Sequence, residues 1–202
     1  MINLDRYTSP RLNPSQSRGK ERIRLILATA LQLFGDKGID RTTTNDIAEA
    51  AHIPIGSVYR YFQNKEEIIL AITDLQIDDV VSLFNAIADR PDLSSLSWQE
   101  VIILITDTWM QHASQNDSSA FLYFLRCNRQ LRTETVKRWH PVQLAYARIL
   151  QKRDPRIAGP GVSVIVQLTW SAVELGIVTN EELSHEAASI VAEHLEQRYP
   201  RN

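Results

Sequence analysis

The chain is poor in the residues that would staple it, carry it through a membrane or cradle a phosphate. A single cysteine, Cys127, among 202 residues excludes an internal disulfide. Five histidines (His52, His112, His140, His185 and His194) show no close Cys/His ligand spacing, so no structural metal and no cofactor is expected. The longest unbroken apolar run, Ala120 to Leu125, and the next, such as Val101 to Ile105, fall far short of the roughly 20 residues that a membrane span requires. No apolar leader follows the first residues, and a cytoplasmic protein without a membrane partner is expected. The seven glycines form no phosphate-binding loop. "GPGVSVI", around Ser163, lacks the second glycine of a nucleophile elbow and follows no strand, so Gly-Pro-Gly reads as a turn. No paired-carboxylate pattern stands out either, and an enzyme is not expected.

What is present is unevenly placed. Net charge is −2 over the whole chain, a poor match to a polyanion. Up to residue 66, however, ten Lys/Arg face seven Asp/Glu, a balance of +3, and beyond it twelve face seventeen, a balance of −5. A weakly basic front joined to an acidic remainder suits contact with a polyanion at one end only. The hydrophobic content of 44% supports one sizeable core or two small ones.

Residues 1–18 carry Pro10, Pro14, Arg6, Arg11 and Arg18 without an apolar period, and read as a flexible tail. From Lys20 the spacing of Ile23, Ile26, Leu27, Ala30, Leu31 and Phe34 predicts a helix that stops at Gly38. Thr43 with Asp46 forms an acidic variant of the capping box, and Ile47, Ala48 and Ala51 give a second helix of about two turns a narrow inward stripe. After a break at His52 to Pro54, Ile55, Val58 and Phe62 face inward on a third. Asn64 and Glu67 cap a fourth, much longer helix through Ile68, Ile69, Ile72 and Leu75. Two short helices about a tight turn, braced on both sides, make a helix-turn-helix over about residues 43–62. Helices are also expected over 97–114, 118–128, 132–153 with a break at Pro141, 161–178 and 184–198, and no strand or repeat appears. The expectation is an all-α chain.

From Arg22 to Leu75 the sequence resembles the DNA-binding domain of the tetracycline-repressor (TetR-type) family. "ILATALQLFGDKGIDRTTTNDIAEAA" followed by "GSVYRYFQNKEEI" carries the resemblance in the family's order and spacing. One position departs from it: His52 stands where the turn often has glycine, and histidine tolerates a left-handed backbone at some strain. The resemblance implies a DNA-binding domain over 19–79 and a helical ligand-binding and dimerisation domain over 80–202. It also implies a homodimer on a near-palindromic double-stranded DNA operator, and a repressor that a small apolar or aromatic effector releases. A DNA-bound scaffold protein is the alternative. The family's DNA contacts fall on Thr44, Asn45, Ile55, Gly56, Ser57, Tyr59, Arg60, Tyr61 and Lys65. Tyr59, Arg60 and Tyr61 are expected to reach outward. Arg60 is suited to a guanine edge, Ile55 to a thymine methyl, and Tyr61, Thr44 and Lys65 to phosphate.

In the second half, aromatic residues and a few polar ones near apolar stretches make Trp109, His112, Tyr123, Arg126, Trp170 and Glu174 the candidate ligand contacts. Cys127 reads as a small buried hydrophobe. Val162, Ile165, Val166, Thr169, Val173 and Ile177 form a wide apolar face, and Ala188, Val191 and Leu195 a slimmer one. Such a pair of faces is expected to bury itself against a second copy of the chain.

Overall fold

The computed structural model describes residues 17–115, 137–157, 162–169, 171 and 181–200, and among these every regular element is helical. The elements are α1 (Ser17–Lys37), α2 (Thr44–Ala50), α3 (Ile55–Tyr59), α4 (Lys65–Ala88), a short 3-10 turn (Leu93–Ser95), α5 (Trp98–Gln115), α6 (His140–Arg153) and α7 (Glu181–Arg198), with a further helical stretch over 162–169. The expected helix over 118–128, the start of that over 132–153 and the tail up to residue 16 lie outside the described residues. Among the described residues no helix is long and apolar enough to cross a membrane.

Two compact units divide the chain, with one boundary inside α4, between Asp79 and Val80, and another between Arg138 and Trp139. In the first, Ile23, Ile26, Leu27, Ala30 and Phe34 form the inward stripe of α1. They meet Ile47 and Ala48 of α2, Val58 of α3, and Ile68, Ile69, Ile72 and Leu75 of α4 in one core. Each fully buried isoleucine there contributes about 1.5–3 kcal/mol. Helix α1 begins at Ser17, earlier than its apolar period, and Gly19 is already buried in its first turn. Arg138, which belongs to this unit, pairs with Asp74 of α4.

The second unit is built on rings. Trp109 of α5 lies 6.2 Å from Phe84 and 5.5 Å from Trp139, and Phe84 lies 5.9 Å from Tyr146 of α6, all centroid to centroid and tilted or edge-on. Ser97 and Glu100 form a reciprocal cap on α5, with Ser97 N–H donating to Glu100 Oε2 at 2.7 Å and Glu100 N–H to Ser97 Oγ at 3.2 Å. Pro141 sits in the first turn of α6, where no helical N–H is needed, and the break expected there is a turn at Trp139. Distant segments are joined by polar bonds: Trp98 Nε1 donates to Tyr199 O at 3.2 Å, Gln99 to Ser189 at 2.8 Å, and His185 Nε2 meets Asp107 at 2.7 Å. Arg153 stacks over Trp98 at 4.9 Å and donates to Leu96 O.

The faces expected at a dimer interface are turned the other way. Val162, Ile165, Val166 and Thr169 are buried within the chain itself, and so are Ala188, Val191 and Leu195. Thr169 accepts a hydrogen bond from the Tyr146 hydroxyl at 2.8 Å and donates to Ile165 O at 3.0 Å. Burial pushes the Tyr146 phenol well above its ordinary pKa, with the bond to Thr169 opposing it. The apolar period was correctly placed, but it serves the chain's own core. The outward apolar side chains are neighbours of those expected: Val164 and Leu168, and on α7 Leu183 and Ile190, the last 64% exposed. Val173 and Ile177 lie outside the described residues.

Candidate nucleic-acid interface

The second helix is fixed at its start by its own sequence. Thr43 N–H and Oγ both donate to Asp46 Oδ2, at 2.7 and 2.6 Å, and Asp46 N–H donates back to Thr43 Oγ at 3.1 Å. These bonds, the Thr43 hydroxyl first, hold the Asp46 carboxyl below its ordinary pKa, and Lys37 at 3.7 Å adds to the effect. The acidic group at the mouth of α2 is thereby satisfied within the protein.

The turn that follows is a Schellman motif. Ile53 N–H donates to Ala48 O and His52 N–H to Glu49 O, both at 3.0 Å, with His52 in the left-handed region at φ 52°. Histidine does occupy the glycine position, as the sequence required. Gly38, at φ 82°, makes the corresponding stop at the end of α1. Pro54 then opens α3, and its carbonyl accepts from Ser57 N–H at 2.8 Å. Regular helix ends at Tyr59, but Tyr61 and Phe62 both donate to Val58 O, so the turn stays bonded as it enters α4. Asn64 Oδ1 accepts from Glu67 N–H at 2.9 Å and Glu67 Oε2 from Gln63 N–H at 2.8 Å, which is the cap expected for α4.

The outward surface of α2 and α3 carries most of the expected contacts. Asn45, Gly56, Tyr59 and Arg60 are exposed, and Thr44, Ile55 and Ser57 half-buried. The Tyr59 hydroxyl lies 3.3 Å from Thr44 Oγ, joining the end of α3 to the first residue of α2. Beyond its chain neighbours and its own helix backbone, a Cβ added at Gly56 would meet nothing within 4 Å. Glycine inside a helix costs about 0.5–1 kcal/mol relative to alanine, and here the fold draws no packing benefit in return.

Tyr61 does not reach outward. It is 9% exposed, packed in the first core, with the Arg60 guanidinium 5.8 Å from its ring centre, while Tyr59 is 49% exposed. Adjacent helical positions point about 100° apart, so two tyrosines separated by two places cannot both face out with Arg60. Lys65 is half-buried, and its Nζ donates to Ile39 O at 2.8 Å. Sequence reading missed that bond, and also the fully buried Thr42, whose Oγ donates to Gly38 O at 2.9 Å. The only local signal for Thr42 is its place at the head of the three-threonine run.

Of the candidate ligand contacts, Trp109 and His112 lie together on α5, 6.3 Å apart, with Trp109 in the aromatic cluster. Tyr123, Arg126, Trp170 and Glu174 lie outside the described residues.

A capped helix, a Schellman turn and a short exposed helix, packed on helices before and after, define a helix-turn-helix. Residues 26–72 match the family described as bacterial regulatory proteins, tetR family. The match covers the segment from within α1 to within α4, and over it the chain is similar to that family. It is 28% identical over 93 residues to the HTH-type transcriptional regulator YuxN of Bacillus subtilis, a match covering 46% of this chain and 32% of that protein. It therefore spans about a third of that relative. The nucleoid occlusion factor SlmA of Haemophilus ducreyi is 22% identical over 150 residues, 74% of each chain. Among solved structures, a TetR-family transcriptional regulator from Syntrophomonas wolfei shares the fold, with a TM-score of 0.71 at 20% identity over 91% of this chain and 99% of that one.

Proposed function

We propose that the chain is a transcriptional repressor that binds a near-palindromic duplex operator as a homodimer and is released by a small apolar or aromatic molecule. The observation that carries DNA binding is the open space at Gly56, beside exposed Tyr59 and Arg60, on a helix-turn-helix whose Asp46 carboxylate is already held by Thr43. Gly56 and Ser57 admit the groove edge, Arg60 reads a guanine, Ile55 touches a thymine methyl, and Thr44 and Asn45 meet phosphate. Two-fold symmetry places the half-sites about one helical turn or a multiple apart. The exposed Val164, Leu168, Leu183 and Ile190 support a second copy as partner. The cluster around Trp109 supports an aromatic guest, and α4, which begins in one unit and ends in the other, is the covalent route between effector and DNA.

Selection of genomic fragments by the purified protein tests the reading: one shared, near-palindromic sequence is expected, with affinity falling steeply as salt rises. Recovery of no common sequence at moderate salt would sink it. Gly56→Ala sharpens it, since the free protein should gain about 0.5–1 kcal/mol while operator affinity falls. Ile190→Glu should give monomers in sedimentation if α7 meets a second copy. For the effector, tryptophan fluorescence titrations with and without operator should differ, because linkage is reciprocal and a tenfold effect corresponds to about 1.4 kcal/mol. A compound binding equally to both forms is not the inducer.

A further inference from the structure

We infer that Lys65 is a positioning residue, whose ammonium fixes the segment leading into α2 to the first residue of α4, and not a neutraliser of DNA phosphate. The inference rests on the DNA-binding reading above and changes the role of one of its expected contacts. A cation in the first turn of a helix opposes the helix dipole, so Lys65 is misplaced for α4 itself, where Glu66 and Glu67 are well placed. It is half-buried, and its Nζ donates to Ile39 O at 2.8 Å, across 26 positions of sequence. The same carbonyl accepts from Thr42 N–H at 3.2 Å. Ile39 is buried in the first core, and Thr42 is fully buried and bonded to Gly38 O. Between the left-handed Gly38 and the N-cap Thr43 the backbone is thus held from inside by Thr42 and from α4 by Lys65. A charge-assisted donor is the stronger kind of hold. Because Thr43 starts α2, any shift of the α4 start is delivered to Thr44 and Asn45, two of the proposed DNA contacts. That makes Lys65 the link by which movement of α4 reaches the recognition surface.

Lys65→Met removes the charge and the donor but keeps most of the stem. In the DNA-free protein, amide hydrogen exchange at Thr42 and Asp46 should speed up several-fold. With DNA, operator affinity should fall severalfold and sequence preference should relax, while the slope of log affinity against log salt stays at the wild-type value. A phosphate contact predicts the opposite, a slope smaller by about one unit with discrimination intact. A slope reduced by that amount, or exchange unchanged from wild type, overturns the inference. A measurement on the wild type guards against a variant that does not fold: reductive methylation, followed by peptide mass spectrometry, should be several-fold slower at Lys65 than at exposed Lys20. Equal rates would also overturn it. The methylation and exchange arms need no DNA, so they decide the hold on Ile39 even if no operator is found, and loss of the operator alone would defeat only the broader reading.

Discussion

The helix-turn-helix region and the ring-built second unit are held together on different length scales. In the first, the polar pairs that set the surface join residues 3, 15 and 26 positions apart: Thr43 with Asp46, Thr44 with Tyr59, and Lys65 with Ile39. In the second, beside the local Ser97 and Glu100 cap, pairs that join distant segments span 23, 78, 90 and 101 positions: Tyr146 with Thr169, His185 with Asp107, Gln99 with Ser189, and Trp98 with Tyr199. The cores differ as well. Isoleucine and leucine dominate the first, with Phe34, Tyr61 and Phe62 as its aromatic members, whereas Phe84, Trp98, Trp109, Trp139 and Tyr146 are buried in the second. A surface that must present fixed groups is set by caps and turns, while the second unit depends on rings filling space between distant segments.

The largest test of this contrast is Phe62→Ala. A buried phenylalanine cut to alanine costs about 3–5 kcal/mol, and Phe62 is buried in the first core. All four tryptophans lie beyond residue 97, so their fluorescence reports the second region only. Circular dichroism should show an earlier transition in urea while the fluorescence midpoint moves less. Coincident shifts would mean that the two regions melt as one and would break the comparison.

Tyr146→Phe should cost about 1–2 kcal/mol by denaturant midpoint, since Thr169 Oγ loses its donor in a buried place. Its mirror in the first region is Thr43→Ala, worth about 1 kcal/mol as a lost N-cap. The cap also carries a pH signature. The folded protein holds the Asp46 carboxyl below its ordinary 3.8, so the stabilisation is present above that value and lost as pH falls through the lower folded value. Thermal melts of wild type and Asp46→Asn should therefore differ most near neutrality and converge in strong acid. A gap that widens on acidification would contradict the cap. The smallest expected effect is a gain: His52→Gly removes a left-handed penalty and adds glycine's entropy, for a net of about 0.5–1 kcal/mol. A lower melting temperature would show that the His52 side chain stabilises the turn in a way its backbone does not reveal.

The same difference in scale governs what could be read from the chain. Gly38, the Thr43 and Asp46 cap, the turn at His52 and the Asn64 and Glu67 cap are each decided by neighbours within a few residues, and each was legible. Tyr61 was misread because a phenolic hydroxyl suggests solvent, whereas its position beside Phe62 at the end of α3 turns the ring into the core. The partner of Lys65 is 26 residues away and is a backbone carbonyl, for which sequence carries no sign. On the last helices the apolar period told which residues are buried but not by what, and Ile165 or Leu195 would pattern identically against a second copy. The ring partners of Trp109, Phe84 and Trp139, come from segments that no local pattern connects.

The bond from Trp98 to the Tyr199 carbonyl also sets an order in time. As the chain emerges from the ribosome, every pairing described for the cap, turn and cap of the first region has both members available by Glu67, whereas the Trp98 indole must wait 101 residues for its acceptor. Early-emerging segments generally fold first. A polypeptide halted midway through synthesis would thus already hold every partner described for the caps and turn of its helix-turn-helix, but not the acceptor that closes the second unit. Under the proposed function, such nascent fragments would compete for operator sites without the unit proposed to govern release.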